Sequence, residues 1–368
     1  MKFAVTLVSA LALAAAASMA AAQNPSTADM PKAKVKAGYK APRAADGHAE
    51  LEGIWSNATT TPLARPANYG DRLVMTAQEL STTEKATQDR NARQNKNTDT
   101  KTIETWKTEA LKPDTTDECR SGSRGAACGY NAGWTDPGDL VMRVGGEPRT
   151  SMITFPANGR VPPRLATAPR GFVVEAGEGS AERGRAGQND NPEGRSLGER
   201  CIMSFGVSSG PVMTPQLYNN TYKFVQTKDT VAIWVEMVHD MRLVRINAKH
   251  RTDGVKPWMG DSIGWWDGDT LVVETVGFNP KQNLRGGDEN MKTTERFTRV
   301  APDRLHYAFK VEDPTVWGQP WGGEYEFAAT NGIYEYACHE GNYGLEGILA
   351  GARDEERQAA AKSNQASR

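Results

Sequence analysis

The chain is poor in the residues that usually announce a function. Its 368 residues include only five histidines and four cysteines. No CxxC or HxH spacing occurs among them, which sets aside the common zinc frameworks. There is no surplus of charge either: the formal net charge is -1, with no basic cluster, and this argues against a nucleic-acid partner. Beyond Ala22 no run is long and apolar enough to cross a bilayer, so no membrane span is expected in the mature chain. No internal repeat recurs at a fixed period, which removes a solenoid and leaves a propeller unsupported.

What is present begins with Lys2 and a mainly apolar run from Phe3 to Ala17, broken only by Thr6 and Ser9 and followed by Ala20-Ala21-Ala22. This is the form of a secretory signal peptide, residues 1–22, cut before Gln23. The competing membrane anchor suits it less, because the apolar stretch is short and Ala-rich. A soluble periplasmic or secreted protein is expected. In an oxidising compartment an even cysteine count implies disulfides. Cys119 and Cys128 bracket a small loop rich in Gly, Ser and Ala, which favours pairing those two and, by elimination, Cys201 with Cys338. With 38% hydrophobic and 24% charged residues the chain suits an ordinary globular domain. The expected order is a Pro-, Lys- and Ala-rich lead-in over 23–47, extended or disordered, one β-rich domain over 48–353, and a frayed polar tail over 354–368.

Strand signals dominate that domain. In Trp265-Trp266-Asp267-Gly268-Asp269-Thr270-Leu271-Val272-Val273, a turn pair divides an aromatic run from a β-branched one, the pattern of a hairpin. Val231 to Ile246 reads as one strand, with Ile233, Val235, Met237, His239 and Met241 on one face and Trp234, Glu236, Val238, Asp240 and Arg242 on the other, unless a bulge near Val238 changes the register. Further strands are expected at Leu51–Ser56, Thr294–Val300, Arg304–Val311, Gly323–Phe327 and Ile333–Tyr336. Helical signal is confined to one early segment, 76–111, opened by the capping box Thr76-Ala77-Gln78-Glu79. The stretch 175–200 is almost devoid of apolar residues and reads as a mobile loop or a flap. The pattern implies an all-β fold: an antiparallel β-barrel, lipocalin-like, with a cavity, in preference to a β-sandwich. Ionisable residues inside apolar strands are easier to place around a pocket than in a dry core.

The stretches WMGDSIGWWDGDTLVVETVGF, TTERFTRVAPDRLHYAFKVEDPTVW and IYEYACHEGNYGLEGILAGAR resemble a widespread, largely uncharacterised family of exported bacterial proteins, over about Asp46 to Arg353. The resemblance implies export and carries no site residue across.

Three motifs bear on chemistry. Gly206-Val207-Ser208-Ser209-Gly210 fits the G-x-S-x-G nucleophile elbow, yet Pro211 and Pro215 stand where its helix should begin, so a Gly/Ser-rich turn is the better reading. Glu236-Met237-Val238-His239-Asp240-Met241-Arg242 places a histidine between carboxylates, the combination that tunes a general acid or base. Tyr334-Glu335-Tyr336-Ala337-Cys338-His339-Glu340-Gly341-Asn342-Tyr343 packs further acid/base groups beside a cysteine able to pin them. Together these suggest an enzyme, a hydrolase or a lyase/isomerase. His239 and His339 would be the acid/base pair, and Glu236, Asp240 or Glu340 would set tautomer and charge. Arg200 and Arg242 would hold an anionic group, and Trp234, Trp258, Trp265, Trp266, Tyr336, Asn342 and Tyr343 would line the site. The substrate class would be a small carbohydrate, aromatic or terpenoid-like molecule, and no cofactor is expected. Two other readings stay open: a non-catalytic ligand-binding barrel of the cell envelope, and a metal-dependent enzyme with His239 and His339 as ligands.

Overall fold

The computed structural model describes residues 27–95, 138–169, 189–204, 210–280, 284, 287, 289–339 and 343–366. The expected signal segment, the helical continuation at 101–111, Cys119, Cys128, Glu340, Asn342 and most of the loop 175–200 lie outside the described residues.

Nine strands close into a barrel: β1 (Gly53–Ser56), β5 (Thr221–Gln226), β6 (Thr230–Val235), β7 (Met241–Ile246), β8 (Asp261–Asp267), β9 (Thr270–Val276), β10 (Lys292–Ala301), β11 (Arg304–Glu312) and β12 (Trp321–Ala329). They pair in chain order, and β12 returns to β1 with Trp55 opposite Ala329. A ring with an odd number of strands cannot alternate all the way round, so one neighbouring pair has to run parallel. That pair is β7–β8, with Val244 opposite Ser262. The sheet expected to be wholly antiparallel is therefore antiparallel except at this seam, which residues 247–260 cross, as a parallel connection requires.

The Trp266/Thr270 hairpin forms as its sequence implies. Asp267 faces Thr270 across a two-residue loop whose first member, Gly268, has φ 61°. The segment expected as one strand from Val231 to Ile246 is instead two antiparallel strands, with Thr230 opposite Arg245 and Trp234 opposite Met241. The reversal shifts the inward face by one residue. Val231, Ile233 and Val235 point into the barrel, but on β7 it is Arg242 and Val244 that do so, while Met241 is 55% exposed.

Outside the ring, β2 (Arg143–Val144) and β3 (Glu147–Pro148) form a small ribbon, and β4 (Ile153–Phe155) lies against β12. A side chain at Gly323 would meet the Met152 carbonyl at 1.9 Å, so only glycine permits that approach. Helix α1 (Ala77–Asn95) starts at the expected capping box: Glu79 Oε2 accepts the Thr76 N–H at 2.8 Å and Thr76 Oγ1 accepts the Glu79 N–H at 3.3 Å.

The lead-in is extended from 27 onward and packs on the barrel wall, burying Met30 and Ala41, with the Lys36 N–H bonded to the Val300 carbonyl. The tail expected to fray is helical: α2 spans Tyr343–Ala366, where Arg353–Glu356 and Arg357–Asp354 pairs and an alanine run favour the helix. Among the described residues no helix is long and apolar enough to cross a membrane.

The middle of the barrel is a packed aromatic core. Tyr307 lies 4.9 Å from Tyr325 and 5.0 Å from Phe297, which meets Phe224 at 5.5 Å. An ion pair crosses this core. Arg242 donates to both oxygens of Glu295, Nη1 at 3.0 Å, and also bonds Ser262 and Thr275; Tyr307 donates to Glu295 Oε1 at 2.8 Å. Arg242 is 2% and Glu295 0% exposed.

Candidate functional site

The two histidines singled out from the sequence meet at the end of the barrel where β6 turns into β7. The chain must reverse within Glu236–Asp240, and it does so through a 3-10 turn, Met237–His239, in which Val238 and His239 take φ of 63° and 47°. Left-handed backbone costs an L-residue roughly 1–2 kcal/mol and suits a β-branched valine least. Such strain persists only where surrounding contacts over-determine it.

Here the anchor is Glu236. Its Oε2 accepts the Thr221 N–H at 3.2 Å and its Oε1 accepts the Tyr334 N–H at 2.9 Å, so one buried carboxylate ties the turn both to β5 and to the segment after β12. That segment, expected as a strand over Ile333–Tyr336, is irregular, because these backbone bonds go to a side chain rather than to a neighbouring strand. A disulfide from Cys338 to Cys201, Cα to Cα 5.3 Å, fixes its far end.

With both segments held, the imidazoles of His239 and His339 stand 5.7 Å apart between centroids, tilted by 40°, and both are exposed. His239 Nδ1 lies 3.1 Å from the Tyr336 carbonyl. A carbonyl only accepts, so Nδ1 carries the hydrogen, and the neutral ring presents its Nε2 lone pair. Burial raises the Asp240 carboxyl above the usual aspartate range, against the opposing effects of the Met241 N–H and the charge of His239. The Tyr336 ring stacks on Tyr218 at 6.3 Å, giving a flat half-buried wall beside the pair.

Several of the other expected members are committed to other contacts. Glu236 is committed to backbone N–H groups and acts as a positioning residue. Arg242 points into the barrel and is saturated by Glu295, Ser262 and Thr275, so it does not reach a surface ligand. Trp265 and Trp266 do not wall the imidazoles. The parallel register sets Trp265 level with Asn247, six strand residues beyond Met241, or roughly 20 Å along the wall. Trp266 stacks on His48 at 4.7 Å. Trp234 sits beside Met241 and Lys223 on the outer face, and Trp258 is half-buried ahead of β8. Arg200 belongs to the turn that leads into Cys201, its N–H bonded to the Ser196 carbonyl. Tyr343 opens α2. The G-x-S-x-G serines lie outside the described residues, and no helix begins at Pro211.

Tyr218 and the Tyr336 carbonyl had no sequence signal. Neither had His250, which the crossover carries between Asp261 at 2.8 Å and Glu274 at 3.1 Å. Its pKa is raised, first by the hydrogen bond to Glu274, and it serves to clamp the crossover onto β8 and β9. The chain matches no protein-family model, and no curated protein matches it.

Proposed function

We propose that this is an exported enzyme, a hydrolase or lyase/isomerase, in which His239 Nε2 acts as general base and His339 as its acid partner on a small substrate held against the Tyr218–Tyr336 wall. The observation that carries this reading is the Nδ1 contact to the Tyr336 carbonyl, which in the neutral ring selects the tautomer with a free Nε2 lone pair beside a second imidazole. Asp240, with its raised pKa, adds a carboxyl that takes up a proton more readily than an ordinary aspartate. A flat aromatic wall suits a sugar ring or an aromatic or terpenoid ring. Export rests on the N-terminal segment and on the resemblance described above; the disulfide is in keeping with it. A metal-dependent form of this chemistry would need a third ligand, and among the described residues no group of three His, Cys, Asp or Glu is placed to hold an ion.

Chromogenic esters and glycosides, together with aromatic and terpenoid lactones, test the proposal on wild type, His239→Gln and His339→Gln. Turnover of at least one class is expected to fall by about 10²–10⁴-fold in His239→Gln, the usual worth of a general base. The alkaline limb of the pH profile, where a general acid loses its proton, should be altered in His339→Gln. Both side chains are exposed, so melting temperatures should stay near wild type. Equal turnover in all three proteins would overturn the assignment. Saturable binding without turnover would favour the ligand-binding barrel, and metal in purified protein that dialysis removes together with activity would favour the metal-dependent form.

A further inference from the structure

A third histidine, remote from this pair, is arranged as part of a binding site. The lead-in crosses the outer wall of β9–β11 and encloses a pocket of about 230 Å³. Its buried members are Thr270, Thr298 and His306, and its more exposed ones are Lys32, Asp269 and Arg296.

His306 is 1% exposed. Its Nε2 lies 2.9 Å from Glu324 Oε2, while Glu324 Oε1 accepts a hydrogen bond from Arg149 at 2.8 Å. Facing the Glu324 carboxyl that Arg149 also bonds, Nε2 is the nitrogen that donates, and in that tautomer Nδ1 is an acceptor. That Nδ1 is buried and has no hydrogen-bond partner among the described residues. Leaving such an atom unsatisfied costs roughly 1–3 kcal/mol, which a group donating to it would recover. Nε2 is turned toward β12. The pocket lies on the opposite side, where Thr298 is the direct cross-strand neighbour of His306 and shares a 2.8 Å hydrogen bond with Thr270. The charge around the mouth favours an anion by one: Asp267 engages Arg296 at 2.8 Å and Arg43 engages Asp269 at 2.5 Å, which leaves Lys32 as the surplus cation.

We propose that this pocket binds a small hydroxycarboxylate, its carboxylate toward Lys32 and its hydroxyl donating to His306 Nδ1 beside the threonine pair. The volume lies below that of a drug-sized site, which restricts the ligand to a compact molecule. Both halves of the ligand matter, since the pocket offers a surplus cation, Lys32, at its mouth and an orphan acceptor at its base.

Calorimetry on the full mature chain with malate, succinate and glycerol separates the two halves, because succinate lacks the hydroxyl and glycerol lacks the charge. Malate is expected to bind saturably and at least about tenfold more tightly than either of the others. Lys32→Gln, a surface change, and Thr298→Val should each weaken malate by about threefold or more, with unchanged circular dichroism showing that the fold is kept. Equal affinity for succinate and malate, malate binding indifferent to both substitutions, or no saturable binding of any of the three would overturn the proposal. In the last case an ordered water is the partner of Nδ1.

Discussion

Arg242→Met is expected to destabilise the barrel by about 3–5 kcal/mol, because it leaves Glu295 charged and unpaired among aromatic rings. Both oxygens of Glu295 accept from Arg242, and among the described residues the further hydrogen bond to this carboxylate comes from the Tyr307 hydroxyl. Burial, together with the neighbouring Glu295, raises the Tyr307 hydroxyl well above the usual tyrosine range, so Tyr307 stays neutral and does not repel that charge further. At about 2–4 °C per kcal/mol for a domain of this order of size, the melting temperature should drop by about 6–20 °C. Arg242→Met/Glu295→Leu removes the ion pair as a unit, and stability should return to within about 1–2 kcal/mol of wild type, as replacing a buried pair with apolar groups often does. Thermal melts of the two single variants and the double variant decide it. An Arg242→Met protein as stable as wild type would mean that water reaches Glu295, and the packed lumen would be wrong.

The second large effect concerns the Cys201–Cys338 disulfide. It closes a loop of 137 residues, and in the chain-entropy account a loop of that length is worth up to about 5 kcal/mol. Cys201→Ser/Cys338→Ser is therefore expected to lose about 2–5 kcal/mol, in keeping with native disulfides elsewhere. The loss has a local component too. Tyr336, whose carbonyl orients His239, lies two residues from Cys338, and His339 is the next residue after it. Hydrogen exchange should accordingly rise along 333–339 in the double variant, while the strands lining the aromatic core stay protected. Identical melting temperatures for the double variant and the oxidised wild type would remove the disulfide from the account. Exchange that rises evenly over the barrel would remove its local role.

The barrel was largely legible because its strands carry local signals. Gly268 supplies the positive φ that the β8–β9 hairpin needs, and the Thr76/Glu79 box starts α1. The parallel seam was not legible, since it follows from closing an odd number of strands and no local pattern encodes that number.

The turn at Val238 was hidden for a different reason. None of Glu236, Met237, Val238 and His239 is a usual turn former, so an apolar β-branched run read as continuous strand. The tertiary bonds of Glu236 hold the reversal together with local ones, such as the Val235 N–H to the Asp240 carbonyl at 2.9 Å. Missing that reversal misplaced Arg242, which the one-strand reading put on the same face as Glu236 and Asp240 and the structure places inside the barrel. The tryptophans misled likewise: aromatic residues in strands near a histidine in sequence need not share its end of the barrel. Conversely, the closeness of His239 and His339 is a long-range product of the segment after β12 bonding to the β6–β7 turn. Two residues a hundred positions apart could be proposed as partners from their chemistry, but not located.

The central claim is that the Tyr336 carbonyl holds His239 in the tautomer with hydrogen on Nδ1. Long-range nitrogen–proton correlation spectra of uniformly labelled protein, recorded above the titration range of the ring, read this directly when compared with His239→Gln for assignment. The account predicts that His239 carries its hydrogen on Nδ1, with Nε2 showing the shift of an unprotonated ring nitrogen. A His239 spectrum of the ordinary form, with hydrogen on Nε2, would contradict it.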